Sequence, residues 1–552
     1  MPTSTTPGAI TTYSTIYSIG IEWDIGATDD TNHDCTVTVR YRIGAGAWRN
    51  ALNLVRVEFG GRNMLAGSVL FLEPNTTYEL ELVLSDPDGG ASTQTTTVTT
   101  RRLPVEPTGG NTYYVIPGSG GGDGSFSNPF QGLASAQAVA IAKDIFFLRT
   151  GNYGNFTFSV SGGPALTDYI VWQDAGDGEV TFGAITVSAS HIWFEGLTPR
   201  NQATGMTASG ARTNNVVTRC SFQNNHKAIS LNSSTSYWYI ADNTIVGDND
   251  PLGGSFSGEG VDMQISDGHT IAHNSISRTA DGISYPRANV DIFGNEIFDN
   301  SDDGPECDNG TVNVRVWKNR IHMTLHNGIT FQDQNGAPWY LIRNQIILDT
   351  DEGHLKLESS DRYVLFHNTF VNTQPLEFQN RGFGILNAYS RNNLFAATGA
   401  GGSQIWDHQS ALVTWRTNLD RDGFDWGTFT GNKFVYNGTG HGTIASYAAA
   451  TGQETNGINF SAAATFSVGA YTKRVTESHL PPPYLNLKAG ASAIDAGVVL
   501  NNINEDYQGA APDLGAYEFG AALPVYGPRV AGPPPPPEEP PAVEPSLILY
   551  IG

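Results

Sequence analysis

Residues 300–310 read NSDDGPECDNG, with Asp302, Asp303, Glu306 and Asp308 crowded around Pro305 and Cys307. Carboxylates at this density suit two chemistries. A glycoside hydrolase needs two of them across the scissile bond, one protonated as acid and one ionised as base or nucleophile. A lyase acting on a uronic-acid chain needs a base near the sugar C5 and a positive charge to neutralise the sugar carboxylate. Asp, Asn and Gly also build ordinary turns. What the cluster does therefore depends on the element that carries it.

A repeat supplies that element. The segments ADNTI, AHNSI, FGNEI, WKNRI, IRNQI, FHNTF and RNNLF share an Asn, then a variable residue, then an apolar one. The Asn residues are 243, 274, 295, 319, 344, 368 and 393, spaced by 31, 21, 24, 25, 24 and 25, and Cys220 extends the series backward by 23. A period near 24 is one turn of a parallel β-helix, and the stacked Asn side chains are expected to bond to one another along the coil.

Within each period a short strand precedes the Asn: GVDMQ, GISYP, GPECD, GITFQ and HLKLE. Alternation sends Val261, Ile283, Pro305, Ile329 and Leu355 inward, together with Met263, Tyr285, Cys307, Phe331 and Leu357. The residues between them face outward in two columns: Asp262, Ser284, Glu306, Thr330, Lys356, and Gln264, Pro286, Asp308, Gln332, Glu358. The candidate catalytic residues are Glu306, Asp308, Lys356, Glu358 and Asp303. Glu306 with Asp308, Glu358 or Asp303 forms the hydrolase pair, and Lys356 is the lyase base. Asp302 and Asp303 are candidate metal ligands, with Ca2+ as the cofactor that such acids take. Asp262 and Gln332 share the face, and Asp281, His326 and His354 rim it. Trp339 is a candidate sugar-stacking ring. Arg343, with Lys318 and His367, directly precedes a ladder Asn and is a candidate ledge for anionic sugars. A solvated polar face produces the same alternation.

Before the repeat, residues 1–104 read as short alternating strands, and LEPNTTYELELVLSD resembles the tyrosine-corner segment of fibronectin type III domains, with Trp23 as a core aromatic. A Pro/Gly linker follows. The segment from Tyr113 then runs strand, Gly-rich loop, short helix (LASAQAVAIA) and strand, as the capped entry of a coil whose open end would otherwise expose strand edges. The coil spans 111–395. Residues 396–520 are irregular last turns, a loop and a closing segment ending in DLGAYEF, and 521–552 is a Pro-rich tail. The ladder, the cap and DLGAYEF together resemble the pectate-lyase-like right-handed β-helix superfamily. The resemblance implies an all-β chain: a right-handed parallel β-helix behind a small β-sandwich. It also implies carbohydrate bound along one long face, in lyases, hydrolases, phage tailspikes or non-catalytic adhesins. Lyases of that superfamily use acidic clusters for Ca2+ and a Lys or Arg base, but no segment matches a named lyase family residue by residue.

The net charge of -24 argues against nucleic acid as a partner, and an anionic substrate would need a local basic stripe or bridging cations. The expected partner is a polysaccharide or cell-surface glycan. Cys35, Cys220 and Cys307 lie too far apart for a metal or disulfide framework, and read as buried thiols. No apolar run is long enough to span a bilayer, and the first residues lack a signal-peptide pattern. The expected setting is extracellular: secreted, or carried on a virion as a homotrimeric spike.

Overall fold

The computed structural model describes all residues except 1, 333–335, 351, 358–361, 373–377, 380–387, 398–404, 409–416, 468–483 and 531–552. Glu358 and the Pro-rich tail from 531 onward lie outside the described residues. The chain is nearly all β. Residues 7–99 form two four-stranded antiparallel sheets that enclose Trp23, Val37, Leu80 and Leu82. The Tyr78 hydroxyl accepts the backbone N–H of Glu73 at 2.8 Å.

From Thr112 the chain winds into a coil of parallel strands. Among the described residues these fall into three long sheets: one of fourteen strands and two of ten. Sheet one includes Asp291–Phe293 and Val314–Trp317, sheet three Glu296–Phe298, and sheet two Pro305–Glu306. From Ser221 to Ala397 each turn of the coil visits each sheet once, and the turns before Ser221 use a separate three-stranded sheet in place of sheet three. The apolar column holds, with Val261 beside Ile283, Ile283 beside Pro305 and Ile329 beside Leu355. Cys307 is fully buried in the coil interior, and Cys35 and Cys220 are buried as well. The helix Leu133–Gln137 puts Leu133 and Ala136 into the N-terminal end of that core. It is shorter than the expected helix.

The turn between sheets one and three carries the Asn ladder. Each amide donates to the next carboxamide oxygen, Asn243 to Asn274 at 2.9 Å, Asn295 to Asn319 at 3.0 Å and Asn344 to Asn368 at 3.0 Å. Asp422 ends the series by accepting from Asn393 at 2.9 Å. The residue before each ladder Asn sits at positive φ, including Lys318 at 50°, Arg343 at 54° and His367 at 55°.

The β-sandwich packs on the outer face of sheet one. Tyr17 meets Phe293 edge-on at 5.4 Å, and Arg315 and Asp291 form an ion pair at 2.6 Å with no exposed side-chain surface. Ser18 and Ser68 of the sandwich reach that pair at 3.2 and 3.0 Å. The C-terminal segment returns along the outside of the coil. Ala516 bonds Thr369 at 2.9 Å, and Arg529 bonds Asp242 further back, at 2.6 Å. No helix among the described residues is long and apolar enough to cross a membrane.

Candidate functional site

The outward column exists as a register. On sheet two Asp262 pairs with Ser284, Ser284 with Glu306, Glu306 with Thr330 and Thr330 with Lys356. The second expected column does not form. Gln264 and Ile265 adopt positive φ in a bulge that pairs Ser266, rather than Gln264, with Pro286. The strand Pro305–Glu306 ends before Asp308, which lies in a turn and accepts the Gln332 N–H at 2.7 Å.

The turn entering this strand holds a column of its own. The N–H of Gly260 bonds the carbonyl of Asp281, that of Gly282 the carbonyl of Asp303, and that of Gly304 the carbonyl of Asn327. Glu259, Asp281, Asp303 and Asn327 are therefore stacked, and all are buried. Asp281 Oδ1 accepts the Asp303 N–H at 3.1 Å, and Asp303 Oδ1 accepts the Asn327 N–H at 2.6 Å. The glycines beside them are required by the close approach of turns, since a Cβ on Gly304 would lie 2.2 Å from the Gly328 carbonyl oxygen.

Asn327 shows that an amide fits this column. Carboxylates instead occupy the three positions below it, at an electrostatic cost. Burial, then Glu306, Asp303 and Asp302, pushes the Asp281 carboxyl well above the ordinary carboxylate range. Burial and Asp302 do the same to Asp303, with Lys356 opposing. Glu306 is pushed from 4.5 up to about 8 by burial, then by Asp308 and Asp302. Carboxylate oxygens of Asp281, Asp302 and Asp303 all lie within 4.8 Å of one another. A hard cation suits such an all-oxygen set and would remove the repulsion that burial amplifies.

Tyr285 departs from the alternation. Its φ is 57°, rare for a bulky side chain, and its ring leaves the core for partial exposure. There the hydroxyl bonds Glu306 and opposes the rise of its pKa. Lower on the column, Lys227 Nζ bridges Asp262 and Glu259 at 2.8 Å each. Burial pulls the Lys227 ammonium down, but these two acids outweigh it and hold its pKa above the ordinary value. Higher up, His326 Nδ1 meets Glu352 at 2.8 Å, and this bond raises the imidazole pKa.

The structure thus brings together Asp262, Asp302, Asp303, Glu306, Asp308, His326, Gln332 and Lys356. Three expected contributors lie elsewhere. Trp339 is 0% exposed, 5.9 Å from Phe331 inside the coil, because it opens a strand of sheet one and points inward. His354 is buried against Phe370, and burial lowers its pKa to about 4. Arg343 occupies the turn before Asn344, at the corner between sheets one and three, and meets Asp506 at 3.4 Å. The expected ledge is also not open at His367, which is 1% exposed and bonded by Asn504. Asp281 as a metal-set member and Tyr285 as a partner of Glu306 were not among the expected site residues. The first was visible as ADG one period before DDG; the second depends on a backbone angle that alternation does not reveal.

Residues 206–374, which contain the whole acid column, match the family described as "Right handed beta helix region". The chain is a right-handed parallel β-helix protein. No curated protein matches it. Among solved structures it is similar to pectate lyase Pel9A, at 16% identity over 75% of this chain and 98% of that one, TM-score 0.40. It is also similar to a rhamnogalacturonan lyase, at 14% identity over 59% and 89%, TM-score 0.32. A third is the PL6 family alginate lyase AlyGC, at 12% identity over 54% and 51%, TM-score 0.30.

Proposed function

We propose that this β-helix cleaves an extracellular acidic polysaccharide by β-elimination, at a cleft that substrate would occupy between the Asp281–Asp303 turn column and Lys356. One observation carries the reading: the carboxylates of Asp281 and Asp303 are buried side by side, with oxygens within 4.8 Å of one another and of Asp302, whereas the next rung carries the uncharged Asn327, whose amide donates to Gly353 O at 2.9 Å. Stability alone gives no reason to keep those charges.

Asp281, Asp302 and Asp303 would hold Ca2+, which supplies neutralisation of the uronate carboxylate and so acidifies the C5 proton. Lys356 stands two rungs from Glu306, about 10 Å along the sheet, enough to place a sugar ring between them. Lys356 Nζ takes the C5 proton, the C4–C5 double bond forms, and the bond from C4 to the glycosidic oxygen breaks. Glu306, whose pKa burial, Asp308 and Asp302 raise, supplies a proton to the departing oxygen. Lys227 and Gln332, both partly exposed, line the face on which flanking sugars would lie, and Asp262 is buried beneath Lys227.

A hydrolase reading draws on the same Glu306, kept neutral beside Asp308. A receptor-binding spike or adhesin would use the cleft without turnover. A panel of polyuronates and neutral glycans, read by reducing ends and by absorbance of the unsaturated sugar, tests the proposal. Cation-dependent absorbance on polyuronates is expected; reducing ends without absorbance would mean hydrolysis, and silence with retained binding would mean a spike or adhesin.

A further inference from the structure

A second locus lies where the sandwich, the coil and the C-terminal segment meet. They enclose a cavity of about 280 Å3. The sandwich contributes Tyr41, Arg49 and Phe71, the coil Lys318 and Arg343, and the C-terminal segment Asn502, Glu505 and Asp506. Arg49 pairs with Glu505 at 2.9 Å and Arg343 with Asp506 at 3.4 Å. Lys318 is in no ion pair among the described residues. Its ammonium lies 5.3 Å from the Phe71 ring centre and 5.8 Å from that of Trp317. Burial, then Arg343, lowers its pKa to about 8.

The turn does not dictate these cations. The same positive-φ position is filled by Asp242, His273, Gly294, His367 and Asn392 on other rungs. Lys318 is half-buried, and Asp506 opposes the lowering of its pKa without forming a direct ion pair with it. The lining also restricts what fits. Arg49, Lys318 and Arg343 against Glu505 and Asp506 leave one surplus positive charge, which matches a monoanion. The two carboxylates offer acceptors for hydroxyl groups, and the rings of Tyr41 and Phe71 offer apolar faces for C–H surfaces.

We propose that this junction cavity binds a single acidic sugar unit, its carboxylate taken by Lys318 and Arg343 and its hydroxyls by Glu505 and Asp506. It is a site separate from the cleft, at the corner between sheets one and three. Its occupant would tie the three parts of the chain together.

Calorimetry on the full chain with D-galacturonate, D-galactose and sulfate tests this, with chelator present so that the cleft cation plays no part. Saturable binding of galacturonate, at least tenfold tighter than galactose or sulfate, is expected, together with a ligand-dependent rise in Tm. Lys318→Met and the more peripheral Arg343→Gln should each weaken binding tenfold or more, whereas Lys356→Ala should not change it. Binding that survives both junction variants, equal binding of sulfate, or no binding to the wild-type chain would overturn the proposal. None of those outcomes depends on whether the cleft cleaves polysaccharide.

Discussion

Asp303 donates its backbone N–H to the carboxylate of Asp281 at 3.1 Å, so two buried acids on successive coil turns are fixed one above the other. The backbone bond holds the pair together against like-charge repulsion. Asp281→Asn keeps an acceptor for that bond and removes one charge. In chelator, this variant should be more stable than the parent by about 1–3 kcal/mol, the scale of one poorly compensated buried group. It should also lose most of the stabilisation that Ca2+ gives the wild type. Urea unfolding with and without Ca2+ reads both effects, and a less stable cation-free variant would count against the strained-acid account.

The cation-free protein should lose stability as pH rises. Asp281, Asp303 and Glu306 have folded pKa values above their unfolded ones, so their contribution is fully present below the unfolded values. For Glu306 it declines from about 4.5 and is lost as pH passes about 8. Saturating Ca2+ should flatten this decline, because the bound ion favours the ionised acids. Tm measured from pH 5 to pH 9, with Ca2+ or chelator, should give two curves that diverge toward alkaline pH. Parallel curves would place the cation elsewhere.

Glu306 should titrate near pH 8 in the cation-free protein, measured by carboxyl carbon NMR. Its neighbours push in opposite directions. Asp308→Asn removes a charge that raises the pKa and should move the midpoint down. Tyr285→Phe removes a hydroxyl bond that lowers it and should move the midpoint up. Two shifts of the same sign would contradict this arrangement.

Lys356→Ala should reduce cleavage by about 10²–10⁴-fold, the range for loss of a positioned proton-transfer group. The fold and the Asp281–Asp302–Asp303 cation set should persist, because the neighbouring turns carry it, with Ca2+ affinity altered only by the loss of the Lys356 charge near Asp303. A variant with unchanged kcat would remove Lys356 from the mechanism.

The ladder makes an independent prediction about the scaffold. Asn319 accepts from the Asn295 amide at 3.0 Å, and donates to Ile292 O at 2.9 Å and Asn344 Oδ1 at 3.1 Å, all in the interior. Asn319→Ala strands several buried polar groups at about 1–3 kcal/mol each, so a loss of at least 3 kcal/mol is expected by urea unfolding.

Most of the coil was legible because its causes are local and periodic. An Asn every 24 or so residues identified the turn, and alternation correctly set Ile283, Ile329 and Leu355 inward and gave the register that aligns Asp262, Glu306 and Lys356, though Asp262 and Lys356 are buried. The pattern failed where the backbone left the strand. Positive φ at Gln264 and Tyr285 broke the second column and turned a tyrosine out beside Glu306. Trp339 and His354 were misplaced because residue type alone does not say which side of a sheet edge is buried. The junction cavity depends on contacts between segments hundreds of residues apart, such as Leu70 with Asn502, and no periodicity encodes them.

The most direct test is cleavage of a polyuronate in ¹⁸O-labelled water with Ca2+, followed by mass spectrometry of the fragments. Elimination breaks the chain without consuming water. The account therefore predicts an unsaturated, unlabelled end on each new fragment, formed by the wild type and not by Lys356→Ala. Incorporation of one label per cleavage, with saturated ends, would show hydrolysis and contradict it.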